Sequence, residues 1–273
     1  DSLEAYNYFL RGTEESAKLY HQNARRFLEK AIELDPTFAS AYLELAGNYS
    51  ALSMHEEAKI TYEKAKTFAE KATEKERLGI ESTYARVIER NPEKSFRILK
   101  QMAKKYPKEK GVHQRLAGYY NERKMYDKAI EEYNKTLELD PNYGNALNEL
   151  AYTFLDVKQY ERAIELLKRY ATVSPGDANP FDSMGYAYFR IGRLDEAIAK
   201  FKEAIEVKPD FEVSIRCIQY VYALKQEYSE AMKWADQYIQ VFKHLRKKTT
   251  GYLIKGFYYG WLGSLNKSMS ELK

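Results

Sequence analysis

The sequence has a single cysteine, Cys217, in 273 residues. One thiol closes no intramolecular disulfide and builds no cysteine metal cluster. It fits a reducing compartment, so the expected location is the cytoplasm. Long apolar runs are also missing. None approaches the roughly 20 residues that span a bilayer. The N-terminal stretch DSLEAYNYFLRG has no basic segment followed by an apolar one, so it is not an intact signal peptide. Proline and glycine are scarce, at 7 and 13 copies. They fall at intervals, which suits helices separated by tight turns. Charge of one sign is not in excess either: 44 basic residues face 40 acidic ones, a net +4. Both signs alternate along nearly every segment, unlike the one-sided basic faces of nucleic-acid binders. What the chain does have is tyrosine, 25 copies, in a composition that is 44% hydrophobic and 31% charged. That balance belongs to a foldable chain rather than a disordered one.

The order in the sequence is periodic. Pro141, Pro175 and Pro209 stand 34 residues apart. The segments beginning GNALNELAYTF and ANPFDSMGYAY align without gaps at the same spacing. Extending the register puts repeat starts at Ala5, Ala39, Glu76, Lys110, Gly144, Ala178, Glu212 and Thr249. The second and seventh repeats each carry three extra residues. The eighth position of each repeat reads Gly12, Ala46, Thr83, Ala117, Ala151, Gly185, Gln219, Gly256, and the twentieth Ala24, Ala58, Ser95, Ala129, Ala163, Ala197, Ala231, Ser268. Small side chains at these places, Gln219 apart, let two helices approach closely. Position 4 is mostly large (Tyr8, Tyr42, Leu147, Phe181, Tyr252), as is position 11 (Tyr49, Tyr120, Phe154, Tyr188, Tyr222, Tyr259). Large residues at 4, 7 and 11 with a small one at 8 make a helical stripe, and a second runs through 20, 24 and 27. Each repeat is therefore two amphipathic helices joined by a short turn, ended by Pro36, Pro107, Pro141, Pro175 or Pro209. Helices of about 14 residues are marginal alone in water and must gain stability by stacking.

This pattern resembles the tetratricopeptide repeat (TPR) family across essentially the whole chain, most strongly from Lys110 to Pro209. The resemblance implies an all-α fold, a right-handed superhelical solenoid of stacked helical hairpins in a single array. The third repeat is degenerate, with Gly79 and Ser82 where large apolar residues are expected, and the first has Arg11 and Glu15 at core positions. The eighth ends at Lys273 within its second helix, which suggests a chain cut from a longer protein. The N-terminal run also resembles repeat arrays behind catalytic domains of bacterial signalling proteins such as kinases and cyclases.

The residues that carry chemistry do not converge. His21 and His55 both fall at position 17, between paired helices, where other repeats have Tyr126, Tyr160 and Tyr228. With no third ligand at useful spacing, no metal site is expected. Pairs such as Glu131–Glu132 read as solvated helix faces. GYLIKG at 251–256 is not a phosphate loop of the GxxxxGK[ST] form. Cys217 reads as a small apolar filler. No catalytic residue and no cofactor are expected. Two basic runs, Lys104–Lys105–Lys108–Lys110 and Lys243–Arg246–Lys247–Lys248, read as cations at helix C-termini rather than as phosphate contacts.

The remaining expectation concerns the concave face that stacked hairpins create. The resemblance places first-helix positions 2, 5, 9, 12 and 13 on it. Position 9 ends in Tyr152, Tyr186, Tyr220 and Phe257. Around this aromatic series fall Gln114, Asn121, Asn148, Asp156, Asp182, Arg190 and Arg216. Aromatic and arginine side chains anchor interfaces, and Asn and Gln bond a peptide backbone. The expected function is a non-catalytic scaffold that binds a peptide or helix of a partner protein in this groove. The alternative is a regulatory or self-associating module of a larger signalling enzyme. The Lys and Asn set that clamps chaperone C-termini in some relatives is not present in any three consecutive repeats, so such tails are not expected ligands.

Overall fold

The computed structural model describes residues 2–241, 245–261, 263, 264 and 267, and only the backbone of 245–250. Lys243, His244 and Ser268, and the side chains of Arg246, Lys247 and Lys248, lie outside the described residues. All regular structure among the described residues is helical. The chain divides into two compact units, Asp1–Glu149 and Leu150–Lys273.

In the first unit, α1 (Leu3–Ala17) packs on α2 (His21–Leu34), α3 (Ala39–Ala51) on α4 (His55–Phe68), α5 (Glu74–Val87) on α6 (Pro92–Lys105), and α7 (Lys110–Glu122) on α8 (Tyr126–Leu139). A 3-10 turn, Ala69–Lys71, extends α4. The division between units falls in α9 (Gly144–Asp156). The second unit continues with α10 (Tyr160–Val173), α11 (Asn179–Arg190), α12 (Leu194–Val207), α13 (Glu212–Leu224), α14 (Tyr228–Val241) and α15 (Leu245–Trp261). Within it α11 pairs with α12, α13 with α14, and α15 packs on α14.

The small residues sit where the helices of a hairpin cross. Ala24, Ala46, Ala117, Ala129, Ala163 and Ala197 are all fully buried. Gly12 lies so close to Leu28, and Gly185 to Phe201, that an added Cβ would stand 2.6 Å from the facing side chain. Tight approach at these crossings is what position 8 provides.

Two recurring devices close the turns. Position 15 is left-handed in all eight repeats: Leu19, Ser53, Arg90, Lys124, Lys158 and Gln226 have φ near +60°, Gly192 has φ +79° and Gly263 φ +73°. Except in the third repeat, where Asn91 reaches Ala85 (2.8 Å), the next N–H then reaches back to the position 11 carbonyl, as from Met54 to Tyr49 (2.9 Å) and Gln159 to Phe154 (2.8 Å). This is a Schellman closure, in which a left-handed residue lets orphan carbonyls be satisfied. Between hairpins, an aspartate beside the proline caps the turn. Asp35 accepts from the Thr37 amide at 3.0 Å and Asp140 from the Asn142 amide at 3.1 Å. Position 4 ties the same turn from within: the Tyr42 hydroxyl donates to the Pro36 carbonyl (3.2 Å), and His113 Nε2 lies 3.0 Å from that of Pro107.

The degenerate third repeat forms an ordinary hairpin by other means. Thr73 and Glu76 form a capping box at the start of α5. Asn91 caps α6, with Pro92 in its first turn. Ser82, which stands where an apolar residue was expected, is buried with its hydroxyl 2.9 Å from that of Ser95.

Two sequence expectations are corrected. Arg11 is not in the core: it is exposed and its guanidinium lies 4.3 Å from the centre of the Phe27 ring. That contact keeps the charge in water while covering apolar surface. Tyr252 does not join the position 4 stripe: it is 42% exposed. In α15 the close approach is made by Gly251, which sits against Ile239 and Tyr238, with Tyr258 buried one side chain further along. The packed stripe is shifted, and Tyr252 is turned outward.

Candidate functional site

The second unit gathers the aromatic residues of its first helices. Tyr152 of α9 stacks on Tyr186 of α11, with ring centres 5.4 Å apart and planes inclined at 24°. Tyr186 lies 6.4 Å from Phe189, and Phe189 meets Tyr220 of α13 edge-on at 6.0 Å. The series therefore runs through Phe189 rather than directly from Tyr186 to Tyr220. Exposure increases along it. Tyr152 and Tyr186 are half-buried, Tyr220 is 55% exposed, and Phe257 of α15 is 59% exposed. The Tyr152 hydroxyl donates to Ser183 Oγ at 3.4 Å.

The charged residues expected around this series have different roles. Arg190 pairs with Asp156 at 3.4 Å, donates to the Tyr186 hydroxyl at 3.3 Å and reaches the Leu155 carbonyl at 3.4 Å. Each of the two offsets the other's charge. Asp182 is buried beneath the face and accepts from the Ser214 hydroxyl at 2.6 Å. Burial pushes its carboxyl up to about 6, against the bond from Ser214. Arg216 is exposed and makes no ion pair or hydrogen bond among the described residues.

Cys217 is half-buried beside these groups. Burial, helped by the negative charge of Asp182, pushes its thiol up to about 12. Against an ordinary thiol near 9, the thiolate fraction at neutral pH falls about 10³-fold. Alkylation of the native chain by iodoacetamide at pH 7.5 should be slower than that of free cysteine by about that factor. Denaturant should restore the rate, and native labelling at the free-cysteine rate would contradict this environment.

The remaining expected site residues belong to the first unit. Gln114 on α7 is half-buried and accepts from the Tyr143 hydroxyl at 3.0 Å. Asn121, near the end of α7, is half-buried, and Asn148 has a buried Oδ1 with no hydrogen-bond partner. This unit also carries charges that the groove positions passed over. Arg115 on α7 donates to Thr83 Oγ1 (2.9 Å), Ser82 Oγ (3.0 Å) and the Gly79 carbonyl (3.4 Å), and burial pushes it down to about 10. Glu44 on α3 and Glu149 on α9 are both pushed above the usual carboxylate range by desolvation. For Glu44 the Arg115 charge partly opposes this, and for Glu149 bonds from Gln114 and Tyr133 do. All three occupy position 6, which reads Glu44, Glu81, Arg115, Glu149 through four repeats. Reading that column downward would have found them.

Among the described residues no group of three or more His, Cys, Asp or Glu could hold a metal ion. His21 bonds Asn48 instead (2.9 Å), and His113 bonds Glu132 (2.7 Å). No described helix is long and apolar enough to cross a membrane. In the basic run at the end of α6, Lys105 pairs with Glu74 at 2.5 Å and Lys110 with Asp140.

Models of the tetratricopeptide repeat match residues 5–38 and 39–72, 120–185 and 179–211, together more than half of the chain. The chain belongs to the tetratricopeptide repeat family. Three solved structures are similar to part of the chain. Two crystal structures of MamA align at TM-score 0.48, with 23% and 22% identity, covering 57% and 59% of this chain and 90% and 87% of theirs. A MamA RS-1 double mutant aligns at TM-score 0.52 and 19% identity, covering 62% of this chain and 95% of that one. No curated protein matches the sequence. A TPR array is a protein–protein interaction scaffold, and the TPR fold is in general non-catalytic.

Proposed function

We propose that the aromatic face of the second unit is the scaffold's binding surface, and that it holds a peptide or helical segment of a partner protein. The observation that carries this reading is the ring series Tyr152, Tyr186, Phe189 and Tyr220 on three successive first helices. Its exposure rises to 55% at Tyr220. Rings already packed against one another lose little side-chain entropy on binding, so most of the contact they make is realised as affinity. Arg216, exposed on α13, supports an acidic side chain on the ligand close to Tyr220.

The test is capture from lysate of the source organism, comparing wild type with the Tyr152→Ala/Tyr186→Ala/Tyr220→Ala chain, after circular dichroism shows equal helix content. A partner held by wild type should lose affinity by at least about 30-fold in the variant, the loss of one or two interface anchors. Tyr220→Ala alone, which removes an exposed ring, should reproduce part of that loss at no cost to the fold. Equal capture by wild type and the folded triple variant would refute the assignment.

A further inference from the structure

A second exposed apolar stripe runs along α1 of the first unit. Leu3 is 76% exposed, Tyr6 49% and Leu10 46%. Ala17 is exposed as well, and Thr13 is half-buried. These five residues are spaced 3, 4, 3 and 4 apart, the alternation of a and d positions in a coiled coil. The packing of the repeat does not use them. α1 is held to α2 through Ala5 and Gly12, both buried, which lie on the opposite side of the helix from Leu3, Leu10 and Ala17. A helix that faces a broad core carries apolar residues at a, d and e or g, whereas a and d alone make the narrow seam by which one helix meets another. Here the e residues are Asn7 and Glu14, both exposed. The g residues are engaged by α3 and its turn: Phe9 lies 4.9 Å from the Phe38 ring, and Ser16 accepts from Asn48 at 3.1 Å. Thr13 brings no unpaired donor to the seam, because its hydroxyl donates to the Leu10 carbonyl at 2.8 Å.

The charges beside the seam decide what can lie on it. Glu4 and Arg11 stand seven residues apart on one flank, and both are exposed. Neither makes a hydrogen bond or an ion pair among the described residues. The Arg11 guanidinium rests 4.3 Å from the Phe27 ring centre, which holds its charge in place. Glu14 is already answered by Lys18 at 2.6 Å. In a parallel pair of α1 helices, Glu4 would face Glu4 and Arg11 would face Arg11. In an antiparallel pair with each a residue opposite a d residue, Leu3 meets Thr13 of the second copy, Tyr6 meets Leu10, and Glu4 comes within reach of Arg11. A two-fold axis repeats every one of these pairs, so the stripe and its charges are both self-complementary.

We infer that α1 is a dimerisation helix, and that it pairs antiparallel with α1 of a second copy of this chain. One helix of 15 residues covers less than the about 800 Å² per partner of a standard interface. The dimer is therefore weak, with a Kd on the order of 10–100 µM. The surface belongs to the first unit and makes no use of the aromatic face of the second. A dimer carries two such aromatic faces, so a partner with two binding segments gains avidity from it.

The experiment is sedimentation equilibrium of the full chain at loading concentrations from about 1 to about 300 µM, which bracket the expected Kd. Wild type should pass from monomer to dimer and go no further, since a two-fold contact closes on itself. Leu10→Glu, at an exposed position, should weaken the dimer by at least about tenfold with unchanged helix content by circular dichroism. Glu4→Arg and Arg11→Glu should each weaken it by about threefold or more. The double exchange Glu4→Arg/Arg11→Glu should restore it, which a general loss of stability would not do. Direction is read by disulfides in a Cys217→Ser background. Oxidation of a mixture of Tyr6→Cys and Leu10→Cys chains should give a covalent heterodimer. Leu3→Cys alone should give none, because its two copies lie about 15 Å apart along an antiparallel pair, beyond disulfide reach. The variant with alanine at Tyr152, Tyr186 and Tyr220 should dimerise as wild type does. A monomer throughout the range, a dimer unmoved by folded Leu10→Glu, no recovery in the double exchange, self-linking of Leu3→Cys, or loss of the dimer in the tyrosine variant would each overturn the inference.

Discussion

Gly185→Ala should destabilise the second unit by about 1–3 kcal/mol, although alanine is the better helix former by about 1 kcal/mol. The reason is local. A Cβ on Gly185 would stand 2.6 Å from two carbons of the Phe201 ring and 2.9 Å from a third. The ring has nowhere to go. It is 1% exposed and packed among Ala197, Ile198, Ile218 and Val221. A rigid aromatic cannot swing its far end aside as a lysine would, so α11 and α12 must separate. Phe201→Ala should cost still more, about 3–5 kcal/mol, through lost burial and the cavity left behind. The two sites share one contact and should not add: Gly185→Ala should be better tolerated in a Phe201→Leu background than alone. Gly118→Ala is the control, since its Cβ meets nothing, and it should gain about 0.5–1 kcal/mol. Urea unfolding, followed by circular dichroism and by hydrogen exchange of α11 and α12 amides, reads all four variants. A neutral or stabilising Gly185→Ala would mean that this crossing is looser than described.

The same contrast shows what was legible beforehand. The crossing residues could be read from sequence because geometry leaves few choices: where helices touch, only Gly, Ala or Ser fits, and the restriction repeats. The left-handed turn residue at position 15 could not be read, because six of the eight are Leu, Ser, Arg, Lys, Lys and Gln. Their conformation is imposed by the hairpin that closes around them, against their own preference. The shifted packing of α15 was hidden for a related reason. Gly251 and Gly256 are both small, and the column of aligned positions does not say which of them makes the close approach.

The site divides in a similar way. That Tyr152, Tyr186 and Tyr220 share a face follows from the 34-residue period. That Phe189 bridges the last two, and that Arg190 is engaged by Asp156, depends on side-chain reach across helices, which the period does not encode. Charges at position 6 were overlooked because that column carries no single residue type. Its content is Glu, Glu, Arg, Glu, Ser and Cys from the second repeat to the seventh, and only the fold shows that the first, third and fourth of these are desolvated together.

Asp182 was read as a groove residue, and its burial leads to a second large effect, on the pH dependence of stability. Its carboxyl is raised from 3.8 to about 6 by burial, with Ser214 opposing. The folded state therefore holds a proton that the unfolded chain has already released between these values. Stability contributed here falls as pH rises from about 4 to about 6, and it is regained on acidification. A shift of about two units corresponds to about 3 kcal/mol at the limit, of which about 2 kcal/mol should be recovered by pH 4. Asp182→Asn cannot titrate, so the stability difference between wild type and variant should move by that amount between pH 7.5 and 4, in favour of wild type at the acid end. Ser214→Ala should raise the carboxyl further, because it removes the bond that favours the charged form. The neighbours that feel this charge are Tyr152 and Cys217, neither of which titrates in that window, so the step belongs to Asp182. Carboxyl-carbon NMR titration of the native chain gives the midpoint directly. A midpoint near 3.8, or an Asp182→Asn difference flat with pH, would show that water reaches this carboxylate after all. A midpoint near 6 would also bear on ligand binding, since Ser214 and Asp182 tie α13 to α11 under the aromatic face. Protonating that carboxylate weakens a charge-assisted tie between the two helices that carry Tyr186 and Tyr220. Affinity for a partner held by those rings should then change between pH 7.5 and 5.5 in wild type and stay level in Asp182→Asn.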